Sequence, residues 1–225
     1  MIPPEADGEF VARMEDLLDL YAEPFSPARP VVCMDEASKQ LVGEVTQPLP
    51  AVRGHAKRVD CEYRRNGTVN LFVFVQPRGS WRMVRITDHR ARTDWALVVR
   101  ELLDVQFPDA EIVRLVLDNL NTHTLGSLYE TFEAPEARRL AQRLEIHYTH
   151  YTPKHASWLN IAENEIGVLS SQCLDRRIEN SEEFRREVVA WERERNEKGV
   201  EVTWKFTVEM ARVKLRKIYP AISQK

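Results

Sequence analysis

Two short apolar runs, each ending on an aspartate, restrict this chain more than any other feature. Val31-Val32-Cys33-Met34 runs into Asp35, and Ile112-Val113-Arg114-Leu115-Val116-Leu117 runs into Asp118. Short runs rich in β-branched residues read as buried strands. A carboxylate at the carboxyl end of such a strand lies at the sheet rim, where open α/β folds place their sites. A third acid, Glu163, lies within Trp158-Leu159-Asn160-Ile161-Ala162-Glu163, at the start of a stretch with helical apolar spacing. Two strands and a helix can therefore bring three carboxylates together. Gathered carboxylates raise each other's pKa unless cations lie between them, and hard oxygen donors select Mg²⁺ or Mn²⁺. The chemistry that such a donor set implies is two-metal phosphoryl transfer.

The rest of the chain supplies a frame for these acids. Phe10, Met14, Leu17, Leu18 and Tyr21 predict an amphipathic helix over 9–21, broken by Pro24, Pro27 and Pro30. A first strand follows over 30–35. Asn66-Gly67 precedes an apolar run at 69–75, and Arg78-Gly79-Ser80 precedes another at 81–87, which predicts a hairpin and an antiparallel meander of three strands. A buried helix over 93–107 ends at Pro108, and strand four covers 112–117. A helical stretch over 125–144 restarts at Pro135, and a short strand lies at 145–148. From Ser181 the chain reads as two helices around Trp204-Lys205-Phe206-Thr207. This order gives an α/β class, a ribonuclease H-like mixed sheet flanked by helices, with a helical C-terminal extension. The expected units are an N-terminal helix and linker at 1–29, a catalytic domain at 30–180, and the extension at 181–225, packed on the same domain.

Composition narrows the function classes. With 43% hydrophobic and 30% charged residues, the chain is neither disordered nor membrane-embedded. No apolar run approaches the ~18 residues of a membrane span. The start Met1-Ile2-Pro3-Pro4-Glu5 lacks the basic and apolar segments of a secretory signal, so a cytoplasmic location is expected. Cys33, Cys61 and Cys173 form no Cys-x-x-Cys pair, which argues against a disulfide framework or a zinc site. A net charge of −3 is awkward for a nucleic-acid partner, because basic side chains supply most phosphate affinity. The charge is polarised, however: acids dominate residues 1–29 and bases dominate 201–225. Solvated helix faces account for this equally well.

The segments around the acids carry a resemblance. Val32-Cys33-Met34-Asp35-Glu36, Leu117-Asp118-Asn119 and the run from Ser157 to Glu163 resemble the DDE domain of bacterial insertion-sequence transposases of the mariner superfamily. Pro153-Lys154-His155 and Gln172-Cys173-Leu174-Asp175-Arg176-Arg177 add to it. The resemblance implies metal-dependent DNA strand cleavage and strand transfer. Asp35, Asp118 and Glu163 would be the catalytic acids and the ligands of Mg²⁺ (or Mn²⁺), as two ions. The implied partners are DNA, as transposon ends and target, and further copies of the chain assembled on it as a homo-oligomer; no membrane is implied. The family's helix-turn-helix reader modules are not evident, so a catalytic half is expected. One departure is the tandem His147-Tyr148-Thr149-His150-Tyr151-Thr152, where the family has a single copy; it lengthens the 44-residue gap between Asp118 and Glu163. Two other classes remain: a different ribonuclease H-like nuclease, and an inactive transposase fragment that only binds DNA or a partner subunit.

Several residues have two readings. Glu163 and Glu165 fall on opposite borders of the apolar stripe Leu159, Ala162, Ile166, Leu169 and Cys173, so periodicity does not choose between them; the resemblance selects Glu163. Glu36 competes with Asp35, since neighbours on a strand point to opposite faces. Lys154, His155 and Trp158 could grip or stack on DNA, with core packing at a helix start as the other reading of Trp158. Arg176 and Arg177 could contact phosphate or complement a helix dipole. Asn119 reads as a ligand-positioning or turn residue, and His123 as a surface-loop histidine.

Overall fold

The computed structural model describes residues 8–56, 58–149 and 157–220. In chain order the elements are α1 (Gly8–Ala22), β1 (Val31–Glu44), β2 (Tyr63–Gln76), β3 (Trp81–Thr87) and α2 (Arg92–Glu101). There follow β4 (Val113–Leu117), α3 (Leu125–Thr131), α4 (Ala134–Gln142), β5 (Leu144–Tyr148), α5 (Ile161–Leu169), α6 (Ser181–Glu197) and α7 (Val208–Lys214). The strands form one mixed sheet in the order β3-β2-β1-β4-β5. The first three pair antiparallel, while β4 lies parallel to both β1 and β5.

Strand alternation sorts the apolar side chains into two layers. Val32 and Met34 of β1 join Phe72, Phe74, Leu115 and Leu117 on one face, covered by α2, α3 and α4. Cys33, Val75 and Val116 point the other way, against α1, α5 and α7. Further along that second face, Leu41, Leu71, Val73 and Val84 pack under Phe184, Val188 and Trp191 of α6. Those three residues recur at helical spacing, which is why α6 buries one stripe and exposes its many charges.

Three expectations change. Strand β1 does not stop at Asp35 but runs to Glu44. Its second half is Ser-Lys-Gln-rich and part exposed, so it carries no apolar signal; it is held extended by pairing with β2. Asn66-Gly67 is not a turn before β2 but lies within it. Between the pairs Gln40–Thr68 and Val42–Arg65 the register slips, and Gly67 takes φ +106° there. This is a β-bulge, and turn-like residues suit it for the same reason that they suit turns. Finally, the helix expected over 93–107 becomes α2 closed by a π-helical turn, Leu102–Gln106; the restart expected at Pro135 within 125–144 is found, with Pro135 in the first turn of α4.

Helices α1 and α7, far apart in sequence, meet in space. Glu15 of α1 accepts two bonds from Arg212 of α7, at 2.9 and 2.8 Å, and one from the Tyr219 hydroxyl. The acidic beginning and the basic end of the chain therefore neutralise each other in part. At the β3 edge, α6 substitutes for a further strand: Glu192 accepts the Val84 amide, Asn196 bonds both backbone groups of Arg82, and Arg185 reaches the Ile86 carbonyl. An exposed ladder that would otherwise invite strand addition is thus occupied.

The bulge yields a paired prediction. A Cβ on Gly67 meets nothing within 4 Å, so the cost of Gly67→Ala is backbone strain alone; urea unfolding should show a loss of about 1–2 kcal/mol. Gly167 sits in open space on α5, and Gly167→Ala should gain about 0.5–1 kcal/mol from helix propensity.

Candidate active site

The site arises where the two central strands part. The last parallel pair is Cys33–Val116, and β4 ends at Leu117, while β1 continues. Asp35 keeps the parity of Cys33, so it points to the α5 face, opposite Val73 of β2. Asp118 begins the segment that turns away from the finished strand. Glu163 lies in the first turn of α5 and is exposed. Burial pushes the Asp35 carboxyl up to about 7; the Glu36 backbone N–H, donated at 2.7 Å, opposes this, and the charges of Asp118 and Glu163 add to the rise. The first acid therefore lies in the field of the other two. Among the described residues, no three His, Cys, Asp or Glu side chains stand close enough to hold a metal ion as they are. The three acids form an open set at one rim rather than a closed cage.

Asp118 is held by a partner that the sequence reading put elsewhere. His123 is not a surface-loop residue: it is fully buried. Its Nδ1 bonds Asp118 Oδ1 at 2.6 Å and its Nε2 bonds Glu36 Oε1 at 2.8 Å. Burial works against a charged ring, but the bonds to the two carboxylates prevail and hold the pKa at about 9. At neutral pH both ring nitrogens then donate. The Tyr148 hydroxyl fixes the His123 carbonyl at 3.1 Å. Glu36 faces the α2 side of the sheet, beside His123 and Arg90, and so is not on the face of Asp35 and Glu163. The signal for His123 was its place five residues after Asp118, behind a tight loop.

The tie between Glu163 and Glu165 is broken by tertiary contacts. Ile161 and Ala162 are buried along with Leu169, which turns the core-facing stripe toward Glu165. Glu165 is 3% exposed and accepts from Arg82 Nε at 2.6 Å and from Arg195 Nε at 2.7 Å. Its carboxylate is consumed by a buried ion triad that joins α5, β3 and α6. Glu163 has the opposite exposure two residues away.

The other candidates fall around this rim. Trp158 stacks on Trp204 with centroids 6.3 Å apart and meets the edge of Phe206 at 5.6 Å, so it packs against the C-terminal segment. Arg176 pairs with Glu187 at 2.6 Å. Arg177, half-buried, pairs with Glu44 and donates to the carbonyls of Asp60 and Glu62 at 2.7 and 3.2 Å. Asn119 is exposed. Lys154, His155 and the second His-Tyr-Thr copy lie outside the described residues. Of the first copy, His147 and Tyr148 end β5, and the Thr149 amide donates to the Leu117 carbonyl at 2.9 Å.

Two predictions separate these acids. Because the native Asp35 pKa lies above its unfolded value, the ionised group destabilises the fold; stability rises as pH falls from about 7 toward 4. Asp35→Asn should therefore stabilise the metal-free protein at pH 8 by a few kcal/mol, ~3 at most after allowance for partial exposure, with the difference vanishing near pH 4 in chemical unfolding. Glu165→Gln should do the reverse. It strands two arginines, at a cost of about 3–5 kcal/mol, whereas Glu163→Gln should change stability little.

Comparison with known proteins agrees with this geometry. The profile of the DDE superfamily endonucleases matches residues 30–185, well over half of the chain. Among solved structures, the Mos1 mariner paired-end complex with Mn matches with a TM-score of 0.53 at 14% identity, over 97% of this chain and 64% of that one. The Mos1 strand transfer complex gives 0.52 at 14% identity, over 97% and 63%. The Mos1 paired-end complex with Mg gives 0.51 at 16% identity, over 90% and 66%. At such identities the likeness shows the fold, a ribonuclease H-like mixed sheet with flanking helices, and the chain spans less than two thirds of the proteins it matches. Comparison with curated proteins returns no match. On the family profile and the shared fold, this chain belongs to the DDE superfamily endonucleases.

Proposed function

We propose that the chain is the catalytic part of a transposase that cleaves DNA strands and transfers them to a target, with Asp35, Asp118 and Glu163 as its acids. The observation that carries this reading is the electrostatic convergence of one acid from β1, one after β4 and one from α5, in which Asp118 and Glu163 both act on Asp35. Membership of the endonuclease family and the likeness to Mos1 complexes support it. A bacterial insertion-sequence origin, a cytoplasmic location and assembly as a homo-oligomer on DNA are parts of the same proposal. So is the division into a linker at 1–29, a catalytic domain at 30–180 and an extension at 181–225.

The donor set suits Mg²⁺ or Mn²⁺. It is all carboxylate, it is open to solvent at Glu163, and its half-buried member, Asp35, carries a repulsion that a cation relieves. Two such ions, when bound, supply charge stabilisation for the attacking and leaving oxygens of a phosphodiester exchange. The chain's own residues do the positioning. Asp35 stands on a strand tied on one side to β2, and His123 orients Asp118. Arg176, half exposed at the end of the α5 segment, offers phosphate a charge on its free side, and Lys154, His155 and Trp158 are proposed to contact DNA near the reacting phosphate. For Arg177 the bonds to Glu44 and two carbonyls favour a structural part in the same region.

Plasmid nicking tests this reading. The wild-type chain should nick supercoiled DNA with Mg²⁺ or Mn²⁺ and not with a chelator, in a salt-sensitive manner that ignores sequence. Asp35→Asn, Asp118→Asn and Glu163→Gln should each lower the rate by about a hundredfold or more while remaining folded. Undiminished nicking by Glu163→Gln would move the third acid elsewhere. Folded wild type with no metal-dependent nicking would favour an inactive fragment that only binds DNA or a partner.

A further inference from the structure

Asn160 bonds in two directions with one amide. Its Oδ1 accepts from the Ala162 backbone N–H at 3.1 Å and so caps α5, while its Nδ2 donates to the Met34 carbonyl at 2.9 Å. The residue is 2% exposed, so neither bond competes with water. Met34 immediately precedes Asp35, and Asn160 lies three residues before Glu163.

The register explains why that carbonyl accepts a side chain. On the β1 edge toward β4, the Pro30 carbonyl accepts the Arg114 amide at 2.9 Å. With the two-residue period of a parallel ladder, the carbonyls of Val32 and then Met34 are the next acceptors on that edge. Pairing ends at Cys33–Val116, and the chain after Leu117 turns away to give Asp118 to His123. Asn160 thus takes the position of the next rung. The residue before it is fastened separately: the buried Tyr21 hydroxyl donates to the Leu159 carbonyl at 2.8 Å.

We propose that Asn160 is a positioning residue for the acidic site: it splices the start of α5 onto the vacated β4 edge of β1 and so fixes Glu163 relative to Asp35. The proposal rests on the reading of Asp35, Asp118 and Glu163 as metal ligands. It distinguishes Asn160 from an ordinary helix cap. Serine caps a helix about as well as asparagine but has no second polar atom for the Met34 carbonyl, whereas alanine provides neither.

The test compares wild type, Asn160→Ser and Asn160→Ala without DNA, well below their melting temperatures. Mn²⁺ affinity is read by electron paramagnetic resonance, and amide exchange is read over residues 161–165. If Asn160 positions Glu163, both variants bind Mn²⁺ about 10- to 100-fold more weakly, as expected when a residue that orients metal ligands is lost. Both then also exchange faster in the first turn of α5, and Asn160→Ser stays fully folded. Wild-type Mn²⁺ affinity in Asn160→Ser overturns the proposal and leaves a cap only. Wild type that binds no Mn²⁺ overturns the metal-site reading itself, and the positioning proposal with it; the two failures differ in whether the wild type binds.

Discussion

Past Cys33, strand β1 has no β4 beside it, and the backbone groups on that edge need other partners. A buried carbonyl or amide left unpaired costs about 1–3 kcal/mol, so the parting of two central strands is tolerable only where something replaces the ladder. Here Asn160 takes the Met34 carbonyl, while β4 stays paired with β5 to its end, where the Leu117 carbonyl accepts the Thr149 amide. Asp35 lies just past this parting, where the charges of Asp118 and Glu163 both act on it.

The helix that brings the third acid is oriented by charge as much as by apolar contact. Arg82, Glu165 and Arg195 form a triad with Arg82 and Glu165 almost wholly buried, so it lies where desolvation is most costly and where a misplaced partner is penalised most. Such a group contributes little net stability and much selectivity: α5 cannot rotate without stranding a charge. Glu163 is thereby kept on the solvent side of the same helix. On the opposite face of the sheet, His123 does the corresponding work for Asp118, braced by Glu36 and Tyr148.

The C-terminal helices belong to this arrangement. Helix α6 carries Arg195 into the triad and covers the β3 edge, and α7 returns to α1, where Arg212 meets Glu15. Trp204 and Phe206 of the intervening segment pack on Trp158, next to the entry of α5.

Local chemistry determined much of this protein from sequence alone. Strand runs, turn residues and proline breaks were enough to place β3, β4, β5 and α1 and to anticipate a mixed sheet, because those signals depend on neighbours within one element. The flanks of Asp35, Asp118 and Glu163 singled out the three carboxylates on which the proposed function rests. What only the tertiary structure decided depends on partners far apart in the chain. The polar half of β1 is a strand because β2 pairs with it, and Asn66-Gly67 makes a bulge rather than a turn for the same reason. Glu165 is buried because Arg82 and Arg195, 83 and 30 residues away, come to meet it. His123 is internal because Glu36, 87 residues earlier, lies across the parted strands. Periodicity fixes which residues share a face, but the choice of which face is buried belongs to the charges and carbonyls that wait on the other elements.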